Sequence, residues 1–254
     1  MSTPFLSVVI PAYNEERRLP ITLERVTSFL AAQTYPSEIL VVENGSQDRT
    51  WEIAQEYAGR LRSAGEAQSS LPPPMQALQI PERGKGLAVM YGMLAAQGEY
   101  RFMLDADLSM PVEEINRFLP PILADFDIAI ASREAPGAVR IGEPAYRHVV
   151  GRIYNTLIRV LAVPAIQDTQ CGFKCFRAEV AEQLFRRQTL PGWSFDVELL
   201  YLARRLGYRI VEIPIQWHFN PNSHISVVRD SLRMALDIFR IRLNGLQGKY
   251  ERPL

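Results

Sequence analysis

Cysteine and histidine are scarce in this chain, two and three residues in 254. Cys171 and Cys175 sit close together with no neighbouring His or Cys, which falls short of a zinc ligand set. They read as reduced, partly buried thiols. His148, His218 and His224 show no metal-ligand spacing, and no Ser-His-Asp or Cys-His arrangement emerges. Neither sign of charge prevails, with 28 basic and 28 acidic residues, so nothing draws the chain toward nucleic acid and none is expected as a partner. No apolar run approaches the ~20 residues of a membrane-spanning helix. Met1-Ser2-Thr3-Pro4 leads straight into a strand pattern, which reads as the absence of a signal peptide. A cytoplasmic chain is expected, soluble or resting on a membrane surface.

What is present is a hydrophobic fraction of 47%, enough for one large α/β core. The first half alternates strands and helices. Apolar runs at 6–11, 38–43, 77–80, 100–104 and 127–132 read as strands. Helical patterns follow at about 18–32, after Asp48, and after Arg83-Gly84-Lys85-Gly86. This order implies a largely parallel sheet covered on both faces. The polar, Pro-rich stretch 63–74 reads as a loop. In the second half, 146–162 and 195–206 read as helices, 208–217 as a single strand, and 228–246 as a basic amphipathic helix.

The most informative feature is the strand Tyr100–Leu104 running into Asp105-Ala106-Asp107. Two carboxylates at a strand tip project into the crevice where open α/β sheets bind ligands. Such hard oxygen donors suit Mg²⁺ or Mn²⁺ shared with substrate phosphates. The competing reading is that they cap a helix opened by Pro111. Pro11-Ala12-Tyr13-Asn14-Glu15 ends the first strand; Tyr13 offers a flat face for a base, and Glu15 can accept from a base or ribose. Glu43, ending the second strand, can do the same, or can belong to an Asn44-Gly45 turn. Gly84-Lys85-Gly86 offers backbone N–H groups and a cation to a diphosphate, although it matches no phosphate-loop fingerprint. Arg133 and Arg147 suit a second phosphate, as an alternative to solvated surface arginines. Asp196 and Glu198 either complement a helix dipole or position a substrate.

Taken in order, Ser7–Glu15, Val42–Ser46, Gly84-Lys85-Gly86 and Asp105-Ala106-Asp107 resemble the family-2 inverting glycosyltransferases with the GT-A fold. Three further stretches, 168–174, 195–201 and 211–217, resemble those members that make polyprenyl- and dolichyl-phosphate sugars, the dolichyl-phosphate β-glucosyltransferases in particular. The resemblance implies a nucleotide-sugar site of Pro11, Ala12, Tyr13, Glu15, Glu43, Gly84, Lys85, Asp105 and Ala106. It implies an Mg²⁺ or Mn²⁺ held by Asp105 and Asp107, with Asp107 the main ligand. Arg133, Arg147 and His224 would meet a lipid phosphate acceptor, and Asp196 would assist catalysis. Residues 1–217 would form the catalytic domain and 218–254 a C-terminal amphipathic helical extension facing the inner surface of a membrane. The expected reaction moves glucose from UDP-glucose to a polyprenyl or dolichyl phosphate. The alternatives are a mannosyl transfer from GDP-mannose, a nucleotidyltransferase, and a catalytically silent sugar-nucleotide-binding scaffold. Three places depart from the family pattern: Glu43-Asn44 where two acids are common, Ser109 where some relatives carry an amide, and Asn222-Ser223-His224 where Gly-Ser-Lys is usual.

Overall fold

Apolar strands with both faces covered organise the molecule. The structure is a computed structural model describing residues 3–67, 72–220 and 227–251. Its strands are β1 (Leu6–Ala12), β2 (Ser37–Glu43), β3 (Met75–Gln79), β4 (Tyr100–Leu104), β5 (Ile128–Ser132), β6 (Val139–Ile141), β7 (Phe173–Arg177), β8 (Ile210–Pro214) and β9 (Gln216–His218). Its helices are α1 (Leu19–Ala31), α2 (Thr50–Ala67), α3 (Lys85–Ala95), α4 (Ala145–Leu161), α5 (Ala178–Phe185), α6 (Phe195–Arg205) and α7 (Val227–Leu246), with a 3-10 helix over Val112–Phe118.

Seven strands form the main sheet in the order β3-β2-β1-β4-β7-β5-β8, all parallel except β7, which runs antiparallel to both neighbours. Because side chains alternate across a strand, each central strand feeds two cores. Val8, Ile10, Ile39, Val41, Phe102 and Leu104 face α1, α2 and the 3-10 helix. Val9, Leu40, Val42 and Met103 face α3, α5, α6 and α7. Phe102, Phe118 and Phe173 meet edge-on in the first core, the closest ring centroids 4.6 Å apart, an arrangement aromatic quadrupoles favour.

Several elements depart from the sequence pattern. The strand expected over 208–217 is two strands. Pro214, with no N–H for a ladder, ends β8, and β9 leaves to pair with β6 in a separate two-stranded sheet. β7 had no counterpart in the pattern: Lys174 interrupts what is otherwise a buried apolar strand. The expected boundary at 217/218 falls inside β9, and Ile238 and Ile241 of α7 are fully buried in the second core.

β1 pairs with β2 on one side and β4 on the other. The chain therefore reverses its direction of travel through the sheet between β1 and β4. Such a switch point leaves a crevice outside the carboxyl ends of the strands, and the expected site residues lie there.

Candidate active site

The loops after β1 and β2 are stitched together by reciprocal backbone–side-chain hydrogen bonds. Asn14 adopts φ 54°, a left-handed conformation asparagine tolerates. Its N–H donates to Ser46 Oγ (3.0 Å), while its Oδ1 accepts from the Gln47 N–H (2.8 Å). The Glu15 N–H donates to Thr50 Oγ1 (2.7 Å), and the Glu16 N–H to Asp48 (3.1 Å). Asp48 also accepts from the Thr50 N–H at the start of α2 (3.0 Å), as its capping position implied. These bonds fix Tyr13 at the crevice, where the Arg83 guanidinium sits 5.3 Å from its ring centre. Glu43, buried at the end of β2, accepts from the Ser46 N–H and from Gln79 (3.0 Å). Glu15 differs from expectation in its surroundings: both carboxylate oxygens accept from Arg18 (2.6 Å each). Pro11 and Ala12 close β1 beside them.

Asp105 and Asp107 are not helix caps. The 3-10 helix that follows has Pro111 at its cap and no side-chain capping bond. Asp107 Oδ1 accepts from the Ser109 N–H (2.9 Å), and no described residue donates to its Oδ2. Ala106 between them is buried, its carbonyl accepting from Thr22 (2.7 Å). Asp105 is ion-paired to Lys85 Nζ at 2.6 Å. A Cβ at Gly172 would collide with the Asp105 carboxylate, so glycine there lets β7 approach the acid.

Lys85 opens α3 and reaches across the crevice. Burial pulls its pKa down, but Asp105, then Asp196 and Asp107, outweigh this and hold it above the ordinary lysine value. Its Nζ lies 5.2 Å from the Trp193 ring centre, a cation–π distance. The flanking glycines have a packing reason. A Cβ on Gly84 would strike the Pro191 carbonyl, and one on Gly86 would crowd Leu190, Gly192 and Phe195. Asp196, at the start of α6, is buried behind Lys85 and accepts from Lys174 Nζ (2.6 Å), which also donates to the Cys171 carbonyl (2.6 Å). Burial raises the Asp196 pKa, and Lys174 and Lys85 offset only part of that. Glu198 faces away, accepting from Thr189, Leu190 and Tyr250.

Arg133, just after β5, is held by Asp168. Its Nε and Nη2 donate to the two carboxylate oxygens (2.6 and 2.9 Å), and its backbone N–H donates to Oδ2 (3.0 Å). Burial alone would raise the Asp168 pKa, but Arg133 outweighs it and draws it down to about 2. The guanidinium lies 5.4 Å from the Trp217 ring centre. Arg147 lies on α4, and His224 lies outside the described residues. Cys171 and Cys175 are free and buried, and burial pushes the Cys171 thiol up to about 12, as expected of inert thiols. Arg83, Asp168, Lys174 and Trp193 lie in stretches the sequence marks out but carry no role of their own there, because each acts through a partner distant in sequence.

Two carboxylates at the β4 tip, a half-buried lysine ion-paired to one of them and an aromatic ring across the switch point sit on a mostly parallel sheet of the GT-A type. The model of Glycosyl transferase family 2 matches residues 7–185, and the chain belongs to that family and is a glycosyltransferase. Dolichyl-phosphate beta-glucosyltransferase of Drosophila melanogaster is 34% identical over 258 residues, covering 96% of this chain and 76% of the relative. The enzyme of that name from Dictyostelium discoideum is 32% identical, with the same coverage. The one from Saccharomyces cerevisiae is 33% identical, covering 97% of this chain and 76% of its own. The fold matches glucosyl-3-phosphoglycerate synthase from Mycobacterium tuberculosis in complex with uridine diphosphate, with TM-score 0.66, 18% identity, and 99% and 82% of the two chains covered. The same synthase in complex with Mn²⁺, uridine diphosphate and glucosyl-3-phosphoglycerate matches with TM-score 0.66 and 17% identity, covering 99% of this chain and 81% of its own.

Proposed function

We propose that this glycosyltransferase moves glucose from UDP-glucose to a polyprenyl or dolichyl phosphate with inversion at the anomeric carbon. The observation that carries the reading is the Lys85–Asp105 pair beside Asp107 at the switch point. It supplies both charges that a diphosphate with its cation would engage. The relatives named for dolichyl-phosphate glucosyl transfer support the acceptor class.

Tyr13 and Arg83 present a flat, cationic-backed surface to the uracil, and Glu43 lies beside it at the end of β2. Lys85 meets the diphosphate. Asp107 and Asp105 fit Mg²⁺ or Mn²⁺: two hard donors suit an ion that completes its shell with phosphate oxygens and water. Among the described residues there is no cluster of three or more His, Cys, Asp or Glu that holds a metal alone. When bound, the ion would offset the charge that develops on the departing UDP. Arg133, with Arg147 on α4, attracts the acceptor phosphate; Asp168 keeps the Arg133 fork in one orientation. The phosphate oxygen forms a bond to the anomeric carbon as the carbon–oxygen bond to UDP breaks. An acceptor already anionic near neutral pH needs no strong general base, so alignment and charge stabilisation carry the rate.

The acceptor's lipid chain places the enzyme on a membrane. Among the described residues no helix is long and apolar enough to cross a bilayer, so a peripheral seat on the cytoplasmic face is proposed, with residues 218–254 contributing. Its support is α7, whose Leu236, Phe239, Leu243 and Leu246 are exposed beside Arg240, with Tyr146 and Val160 exposed on α4. Apolar groups flanked by cations suit an anionic interface. Nucleotide competition tests the donor: UDP should displace a labelled UDP-sugar where GDP does not. Preferential displacement by GDP would move the reading to GDP-mannose, and tight UDP binding without turnover on any lipid phosphate would favour a silent scaffold.

A further inference from the structure

Lys85 does not stand on α3 alone. The loop spanning 188–194, leading into α6, is wedged between the start of α3 and the C-terminal part of the chain. On the α3 side, the Leu87 N–H donates to the Pro191 carbonyl (3.2 Å), Gln188 Nε2 donates to the Gly86 carbonyl (2.9 Å), and Trp193 stacks under Lys85. The contacts at Gly84 and Gly86 leave no room for a side chain. On the other side, two groups of α7 reach the same loop directly, and Tyr250 reaches it through Glu198 of α6. Ser194 Oγ donates to Asp237 Oδ2 (2.7 Å), Asn244 Nδ2 donates to Thr189 Oγ1 (3.1 Å), and the Tyr250 hydroxyl donates to Glu198 (2.8 Å). Glu198, itself fully buried, also gathers the N–H groups of Thr189 (3.0 Å) and Leu190 (2.8 Å).

Ser194 is the informative residue. It occupies the N-cap of α6, where a serine ordinarily bonds its own helix, yet it makes no side-chain cap. Its hydroxyl, on a fully buried residue, turns instead to α7. A carboxylate acceptor makes this the stronger, charge-assisted kind of hydrogen bond. It fixes the residue next to Trp193 and two before Asp196, and both of those touch or face Lys85.

We propose that Asp237 of α7 is a positioning residue for the donor site, acting through Ser194 and Trp193 on Lys85. This rests on the reading that Lys85 meets the donor diphosphate. The consequence is that the helix presenting the apolar outer face also sets the affinity for the nucleotide.

The test is calorimetric binding of UDP with Mg²⁺ to the full chain and to Asp237→Ala, Asp237→Asn, Ser194→Ala and the Asp237→Ala/Ser194→Ala pair, alongside KM for a short polyprenyl phosphate and Tm. Asp237→Ala and Ser194→Ala should each weaken UDP about tenfold, the usual scale for losing a hydrogen bond to a charged group. The double variant should lose no more than either single one, and Asp237→Asn, which keeps an acceptor oxygen, should recover most of the affinity. The acceptor KM should stay within about twofold. Unchanged UDP affinity in the variants, equal losses for UDP and acceptor, or no recovery in Asp237→Asn would overturn the proposal. Failure of the unaltered chain to bind UDP would instead overturn the donor reading, and this inference with it.

Discussion

The two sides of the crevice are built differently. The proposed donor side, from β1 through β4, holds its polar groups with hydrogen bonds between neighbouring strand-end loops: Asn14 to Ser46 and Gln47, Glu15 to Thr50, Glu16 to Asp48. The proposed acceptor side, from Arg133 onward, is built on a long-range ion pair to Asp168 and on two amphipathic helices with apolar outer faces. A nucleotide diphosphate has fixed shape and charge, so a rigid cradle suits it. A lipid phosphate has one recognisable charge and a long tail, so one oriented cation and an exposed apolar surface are enough. The difference separates preorganisation from access.

Substitutions can break that separation. The largest effect is expected at Asp107: Asp107→Ala should lower turnover on the order of 10³-fold, as removal of a group stabilising transition-state charge does, with the far-ultraviolet spectrum unchanged. An active Asp107→Ala enzyme would remove the ligand assignment. Arg133→Lys comes next. It keeps the charge but loses the fork, so the acceptor KM should rise about tenfold, a single charge-assisted bond's worth, with UDP affinity nearly unchanged. Equal losses on both sides would merge the two halves.

Acid should weaken the Arg133–Asp168 pair. Its folded pKa, about 2, lies below the ordinary aspartate value of 3.8. The pair therefore contributes stability above pH ~4 that is lost as pH falls through ~2, roughly 2 kcal/mol by linkage. Acid unfolding of Asp168→Asn should lack that component; a titration matching the unaltered chain would contradict the pairing. Phe239→Asp and Leu243→Asp on the outer face of α7 should weaken partition onto anionic vesicles several-fold, since a side chain at an interface realises only part of the roughly 1.5–3 kcal/mol that its full burial is worth, while leaving UDP binding intact. The smallest effect is expected at Glu15. Its oxygens are already engaged by Arg18, so Glu15→Gln should change UDP affinity by no more than about threefold, the scale of one neutral hydrogen bond; a larger loss would place Glu15 directly on the nucleotide.

Legibility in the sequence follows the same divide. β1, β2 and β4 are predominantly apolar runs, and their ends carry Tyr13, Glu43, Asp105 and Asp107, so strand and site emerge together from adjacent residues. β7 was hidden because Lys174 breaks its apolar run, and the partner that neutralises it, Asp196, belongs to another element. Gly84 and Gly86 read as a phosphate cradle, whereas their immediate physical reason is contact with 190–192, about a hundred residues away. Arg133 was singled out without Asp168, because a bidentate pair between distant loops leaves no local spacing. The break at Pro214 was legible in principle, since proline cannot continue a ladder, but the apolar alternation on either side concealed it.

Glucosyl transfer to a lipid phosphate is tested by incubating the protein with Mg²⁺ or Mn²⁺, a short polyprenyl phosphate in detergent, and UDP-glucose or GDP-mannose carrying a radiolabelled sugar. Label should enter the lipid phase from UDP-glucose alone and only with the divalent ion present. Label entering from GDP-mannose instead, or from neither donor while UDP still binds, would contradict the account.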